Sequence, residues 1–240
     1  MDPSYAREYR ELAVRHWWWR ARNAHVRRRV ETLLGGRRDA HVLDIGCGDG
    51  VLFPFLSRFG TVEGIEPDPL VVTADGPWRQ VIHQRFFDAT FAPATRYDLI
   101  LMLDVLEHLD APEAALRHAS TLLSPGGRIL ITVPAFMALW THHDDVNRHV
   151  TRFTKSTLAP VAAAAGLAIL SSEYLFQWLF AAKLVERLKE SLRGPSPLPT
   201  IPAAAANEAL YRVSVVEART GGTWLPFGSS LLALLAPRRQ

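Results

Sequence analysis

Short apolar runs alternate along this chain with longer segments of helical periodicity. The start of Val42–Gly50, then Thr61–Ile65, Val81–Gln84, Tyr97–Leu103, the end of Leu122–Pro134, Leu167–Glu173 and Ser229–Leu235 read as strands. Tyr97–Leu103 is apolar throughout after Asp98, the pattern of a strand covered on both faces. Ala24–Leu34 sets Val26, Val30, Leu33 and Leu34 on one helical face and Arg27, Arg28 and Arg29 largely on another, and Gly35-Gly36 ends it. Lys155–Ala165 predicts a helix closed by Gly166. In Leu175–Arg193, the apolar residues Leu175, Trp178, Leu179, Ala182, Val185 and Leu188 recur at helical spacing. Four prolines in the nine residues 194–202 predict an irregular linker, and a further helix follows over about 203–219. Residues 136–153 read as a polar, aromatic loop. Strands that alternate with helices in this way predict an α/β fold.

The chemistry concentrates where the first strand ends. Asp44 stands there, followed by Gly46, Gly48 and Gly50 in a G-x-G-x-G turn, and Val51-Leu52-Phe53 opens the next helix. Glycine has no Cβ and accepts positive φ, so such a turn lets a ligand approach the backbone closely. At the carboxyl end of a parallel strand this predicts a small-molecule cofactor site. The dinucleotide pattern G-x-G-x-x-G is incomplete, and Asp49 would repel a pyrophosphate at the helix N-terminus. A cofactor carrying a sulfonium and an amino acid suits the turn better. Glu66 closes the second strand, at the distance where an acidic residue takes ribose hydroxyls. Asp88 follows the third strand and suits an adenine amino group, and Asp104 ends the fourth.

With VLDIGCGDG (42–50), VEGIEPD (62–68), YDLILMLDVLEHL (97–109) and LLSPGGRILITVP (122–134), the chain resembles the class I S-adenosylmethionine-dependent methyltransferases. The resemblance implies a Rossmann-like, mostly parallel seven-stranded sheet in the order 3-2-1-4-5-7-6, with strand seven antiparallel and helices on both faces. On that frame, 1–38 reads as an N-terminal helical cap and 39–240 as the methyltransferase domain. A helical insert over 175–220 separates strands six and seven. By the same resemblance Asp44, Gly46, Cys47 and Gly48 hold the methionine part of S-adenosylmethionine and of its product, S-adenosylhomocysteine. Glu66 and Pro67 take the ribose, Asp88 and Ala89 the adenine, and Leu103, Asp104 and His108 complete the cofactor set. His16–Arg22, Trp140–Phe153 and Pro226–Ser230 are similar to signatures of one bacterial branch of these enzymes. Members of that branch are suspected of acting on glycans, lipids or secondary metabolites. The implied reaction is methylation of a small-molecule, lipid-like or glycan-like acceptor, with oxygen as the favoured accepting atom.

A hydroxyl acceptor must lose a proton, and Thr141-His142-His143-Asp144-Asp145 with His149 lies just past the fifth strand. Imidazole titrates near neutrality and suits proton abstraction. His143 and His149 are therefore the candidate bases, and Asp144 the carboxylate that holds the tautomer. The competing reading has these histidines order the loop or cap a helix. Trp18, Trp19 and Trp140 are candidate acceptor contacts, although Trp17–Trp19 also reads as packing with a lid. Arg148 and Arg152 suit an acceptor carboxylate or phosphate. No metal is expected: histidine and aspartate are good ligands, but no second ligand cluster is apparent. His108 reads also as a structural residue at a helix start.

Composition narrows the class. An apolar share of 48% suits one globular core. The single cysteine, Cys47, reads as a small buried filler; it permits no intrachain disulfide and fits a reducing cytoplasm. The net charge of +3 conceals ten arginines against four acids in residues 1–38, a local net of +6. Such a patch suits an anionic partner or a solvated helix face. No nucleic-acid module accompanies it, so nucleic acid is not expected. No apolar run reaches the ~18–20 residues that span a bilayer, and no leader-like apolar segment opens the chain. Residues 175–193 read first as core or lid and second as a peripheral membrane contact. Oligomeric state stays open. Rival readings are a catalytically silent methyltransferase-like binding subunit, an N- or C-methyltransferase of a secondary metabolite, and a nicotinamide-dependent oxidoreductase. The set Asp44, Glu66 and Asp88 weighs against the first, and Asp49 with the missing third glycine against the last.

Overall fold

The computed structural model describes residues 10–219 and 225–238. Residues 1–9 of the expected cap lie outside the described residues. Seven strands are present: β1 (Ala40–Ile45), β2 (Gly60–Ile65), β3 (Ile82–His83), β4 (Tyr97–Leu103), β5 (Leu123–Pro134), β6 (Leu167–Leu175) and β7 (Ser230–Pro237). They form one sheet in the order β3-β2-β1-β4-β5-β7-β6, as the family resemblance implies. β1 pairs parallel with β2, and β2 with β3. β7 runs antiparallel to both β5 and β6. The helices that position the site are α1 (Trp17–Leu34), α2 (Phe53–Leu56), α3 (Pro112–Thr121), α4 (His142–Val146), α5 (Lys155–Ala164), α6 (Gln177–Arg193) and α7 (Ala204–Arg219).

The chain divides into two compact units. The first comprises the residues up to Leu101, Leu122–Gly127 and Thr200–Arg219. Here α1 buries Val26, Val30 and Leu34 as predicted, and Trp17, Trp19 and Ala21 with them, while Leu33 is only half-buried. The helix is longer than its periodic stretch because His16 caps it: the ring Nδ1 accepts from Trp18 N at 3.2 Å. Second in importance is α7, which packs on α1. Asn207 is buried between them; its Oδ1 accepts from Trp17 N and its Nδ2 donates to Arg15 O, each at 2.8 Å. Arg20 pairs with Glu208 at 3.0 Å and lies 4.1 Å over the Tyr211 ring. The helix opened by Val51–Phe53 is short: α2 spans four residues before a 3₁₀ turn at Ser57–Phe59.

The second unit comprises Met102–Thr121, Arg128–Pro199 and the described residues after 224. β7 lies between β5 and β6 and buries Leu231–Ala236, the apolar signature of a central strand. α5 starts on a Thr154 capping box, and Gly166 takes the positive φ of 77° that ends it. Residues 136–153 are not one loop. Thr141 and Asp144 form a capping box, Thr141-x-x-Asp144, that starts α4. α6 also departs from expectation: none of its residues is fully buried. Leu175 and Phe176 are buried, but in the end of β6 and the turn after it. The inner face of α6 is held instead by Phe180, whose ring meets Phe136 at 5.4 Å and Phe227 at 4.9 Å. Trp178 and Leu179 are half-buried, whereas Ala182, Val185 and Leu188 are exposed, so the later half of the apolar stripe is turned outward and α6 is not a core helix. Among the described residues no helix is long and apolar enough to cross a membrane.

Candidate active site

The first unit builds a cradle at the end of β1. Gly46, Gly48 and Gly50 take φ of 75°, 56° and 73°, the left-handed region that glycine alone adopts without strain. Gly46 N donates to Ile65 O at 2.8 Å, which ties the turn to the end of β2. Where β2 passes the turn, a Cβ on Gly64 would stand 2.4 Å from Cys47 Sγ and 2.6 Å from the Phe53 ring, so no other residue fits. Asp49 fastens the far side, accepting from Thr73 N at 2.8 Å and Thr73 Oγ1 at 2.5 Å. Glu66 receives one backbone N–H on each oxygen, from Gly48 on Oε2 and Asp68 on Oε1, both at 3.0 Å. Each oxygen keeps a lone pair, which suits two vicinal hydroxyls.

Asp44 is the cradle's buried acid. Its Oδ1 has no hydrogen-bond partner among the described residues. Burial pushes its carboxyl up to about 7, with the Arg22 charge opposing and that of Glu66 assisting. A buried, unsatisfied carboxylate oxygen calls for a cationic donor, and the amino-acid end of S-adenosylmethionine supplies one. The cradle thus fits this cofactor. Burial, with Asp44 and Glu66 nearby, drives the Cys47 thiol far above its ordinary value; it stays protonated and acts as filler. Pro67 is exposed beside Glu66. Asp88 is exposed and already engaged, accepting from Thr90 N at 2.9 Å and pairing with Arg85 at 3.3 Å. Ala89 is exposed next to it. Trp17 and Trp19 are packing residues of α1, and Trp18 is half-buried, edge-on to Trp19 at 5.2 Å.

The second unit holds the polar residues that follow β4 and β5. Leu103 is buried at the end of β4. Asp104 has φ of 57°, and its backbone N and Oδ1 both bond Thr132, to O at 2.8 Å and from Oγ1 at 3.1 Å. Beyond β5, Asp144 is 0% exposed and Arg152 7%. The guanidinium grips the carboxylate with two bonds, Nε to Oδ1 at 2.8 Å and Nη2 to Oδ2 at 2.9 Å. Arg152 Nη1 also donates to Ala135 O at 3.1 Å. Asp144 Oδ1 lies 2.8 Å from His149 Nδ1. Burial alone would raise the Asp144 carboxyl. The hydrogen bonds from His149 and Arg152, and the Arg152 charge, outweigh it and hold the group well below the usual carboxylate range.

This relay joins three of the predicted residues, Asp144, His149 and Arg152, and gives Arg152 a different partner from the expected acceptor. Arg148 is exposed with φ of 56°, in the turn that aims His149. His143 sits apart, receiving the Asn147 amide at 3.2 Å, and burial pushes it down to about 4. Trp140 donates from Nε1 to Asp145 at 2.8 Å. Sequence reasoning missed Glu107, which is fully buried, and whose backbone O accepts from Val150 N at 2.7 Å. The His108 ring stands edge-on to His149 at 4.7 Å. Glu107, His108 and His149 offer ligand atoms within 4.8 Å of one another, a grouping that could hold a cation. Phe136, Tyr174, Phe180 and Phe227 form an unanticipated aromatic cluster beside α6.

This sheet order, with an acid and glycine turn closing β1 and an acid closing β2, defines a class I S-adenosylmethionine-dependent methyltransferase domain. The chain belongs to the Methyltransferase domain family, whose model matches residues 18–172. It is similar to a ubiquinone biosynthesis O-methyltransferase of Azorhizobium caulinodans, 30% identical over 177 residues, covering 71% of this chain and 56% of that one. A protein of the same description from Aeromonas salmonicida is 35% identical over 106 residues, covering 41% and 44%. The chain spans about half the length of the curated relatives it matches. In fold it is similar to a SAM-dependent methyltransferase from Archaeoglobus fulgidus, with TM-score 0.58, 19% identity, and 91% and 94% of the two chains covered.

Proposed function

We propose that this protein methylates a hydroxyl of a small, lipid-like or glycan-like acceptor, with His149 as the general base. The observation that carries the reading is the buried Arg152–Asp144–His149 relay. The description of its relatives as O-methyltransferases supports oxygen as the accepting atom. Bound S-adenosylmethionine supplies a methyl group activated by its sulfonium. Asp44 holds the donor's ammonium, and Glu66 its ribose hydroxyls. With Nδ1 committed to Asp144, His149 keeps Nε2 to take the acceptor's proton, and the ionised Asp144 stabilises the imidazolium that results. Arg152 keeps Asp144 ionised and in place. His143 is the weaker candidate, because a group lowered to about 4 is a poor base at neutral pH.

Calorimetry tests the donor. S-adenosylmethionine and S-adenosylhomocysteine are expected to bind and NAD is not; tight binding of NAD alone overturns the reading. The pH dependence follows from Asp44. Its folded value lies above its unfolded one, so the free protein loses stability as pH rises from about 4 toward 7. Donor affinity moves the other way. It rises by up to about tenfold per pH unit below 7 and levels off above it. Asp44→Asn is expected to weaken binding and flatten that slope.

A further inference from the structure

The outward face of α6 has a defined chemistry. Leu184, Val185, Leu188 and Leu192 are 40%, 51%, 60% and 75% exposed, and Ala181 is exposed with them. At helical spacing these five fall in one arc of about 100°. Arg187 borders the arc on one side, and Lys189 and Arg193 border it on the other. The acids are engaged: Glu186 pairs with Lys183 at 2.8 Å, and Glu190 accepts from His142 N at 3.0 Å and Ser196 N at 3.2 Å. Beside the arc runs a groove of about 620 Å³, lined by Ala181, Ala182, Val185, Lys189 and Pro197 and by the lysine-paired Glu186.

We propose that α6 docks this protein on the surface of a lipid bilayer rich in anionic headgroups. Leucines enter the acyl boundary while the long basic side chains of Lys189 and Arg193 at one border reach the phosphates, the arrangement of an interfacial helix. Charge selects this occupant. A second copy of the same face would set cations against cations, which disfavours a symmetric pair. The same helix supports the histidine segment, because Glu190 holds His142 N and Arg187 donates to Trp140 O. The proposal stands independently of the methyl-transfer reading: donor affinity by calorimetry reports on that one, vesicle binding on this one.

Vesicle flotation tests it with the full chain. Vesicles with about a third phosphatidylglycerol are expected to carry the protein, and pure phosphatidylcholine vesicles to carry far less. High salt reduces binding. Lys189→Gln lowers it about fivefold, and Leu188→Glu with Leu192→Glu lowers it roughly tenfold or more. Because these residues are exposed, donor affinity and melting temperature stay unchanged. As a control, Val213→Glu with Val216→Glu, exposed on α7, leaves flotation unchanged. The proposal is overturned by absence of flotation, by equal binding to both vesicle types, or by full binding of the double leucine variant. It is equally overturned if light scattering finds a wild-type dimer that the leucine variant converts to monomer.

Discussion

Asp144→Ala is expected to cost about 3–5 kcal/mol of folding stability, read as a lower denaturation midpoint at pH 7. The carboxylate is fully buried, and its removal leaves the Arg152 guanidinium buried with only the Ala135 carbonyl. Thr141 N loses its acceptor at the start of α4 as well, worth about 1 kcal/mol. Asp144→Asn keeps the shape and one acceptor oxygen, so it should cost less. The pH dependence has a definite sign. The folded carboxyl lies below its unfolded value, so its contribution is complete above about pH 4 and is lost as pH falls through the depressed value. Replacing the ion pair whole, Asp144→Leu with Arg152→Met, should recover much of the stability without recovering turnover. A double variant as unstable as Asp144→Ala would mean that packing, not the charge pair, carries the effect.

His149→Ala is expected to lower turnover on a hydroxyl acceptor by about 10²–10⁴ with little change in donor affinity. His143→Ala should keep turnover close to that of the unmodified protein. Full turnover in His149→Ala would remove His149 as the base. Chelation separates the two possible roles of this ring. EDTA should leave wild-type turnover unchanged. If EDTA reproduced the loss, His149 would instead belong to a cation held with Glu107 and His108.

The strands of the first half were legible because acids and glycines sit where the apolar pattern breaks, while their order in the sheet came from the family resemblance. Asp44 and Glu66 end apolar strands, and glycines that need positive φ announce themselves by type. The acceptor side was less legible. Its turns rest on Asp104, Phe136, Arg148 and Phe176, all with φ near 57° and none a glycine. Only tertiary contacts keep such residues there, at a cost of roughly 1–3 kcal/mol each. Capping of a helix in this segment is legible in the sequence, but the capping pair is Thr141 with Asp144 and not the histidines. His143 and His149 look alike in sequence; burial and the Asp144 contact distinguish them. Periodicity told that α6 has an apolar face, but periodicity says nothing of what covers that face. The contact of α7 with α1 bridges 190 residues at Trp17 and Asn207, beyond any local pattern.

That clasp bears on how the protein is made. Trp17 N donates to, and Arg15 O accepts from, the amide of a residue translated 190 or more positions later. The first helix therefore leaves the ribosome with its opening turn incomplete, and completes it only after the proline-rich 194–202 stretch has emerged. A protease that nicked this stretch would leave two polypeptides still gripping each other, the later one bearing both Asn207 and β7. That stretch is thus a place to divide the gene into two complementing halves.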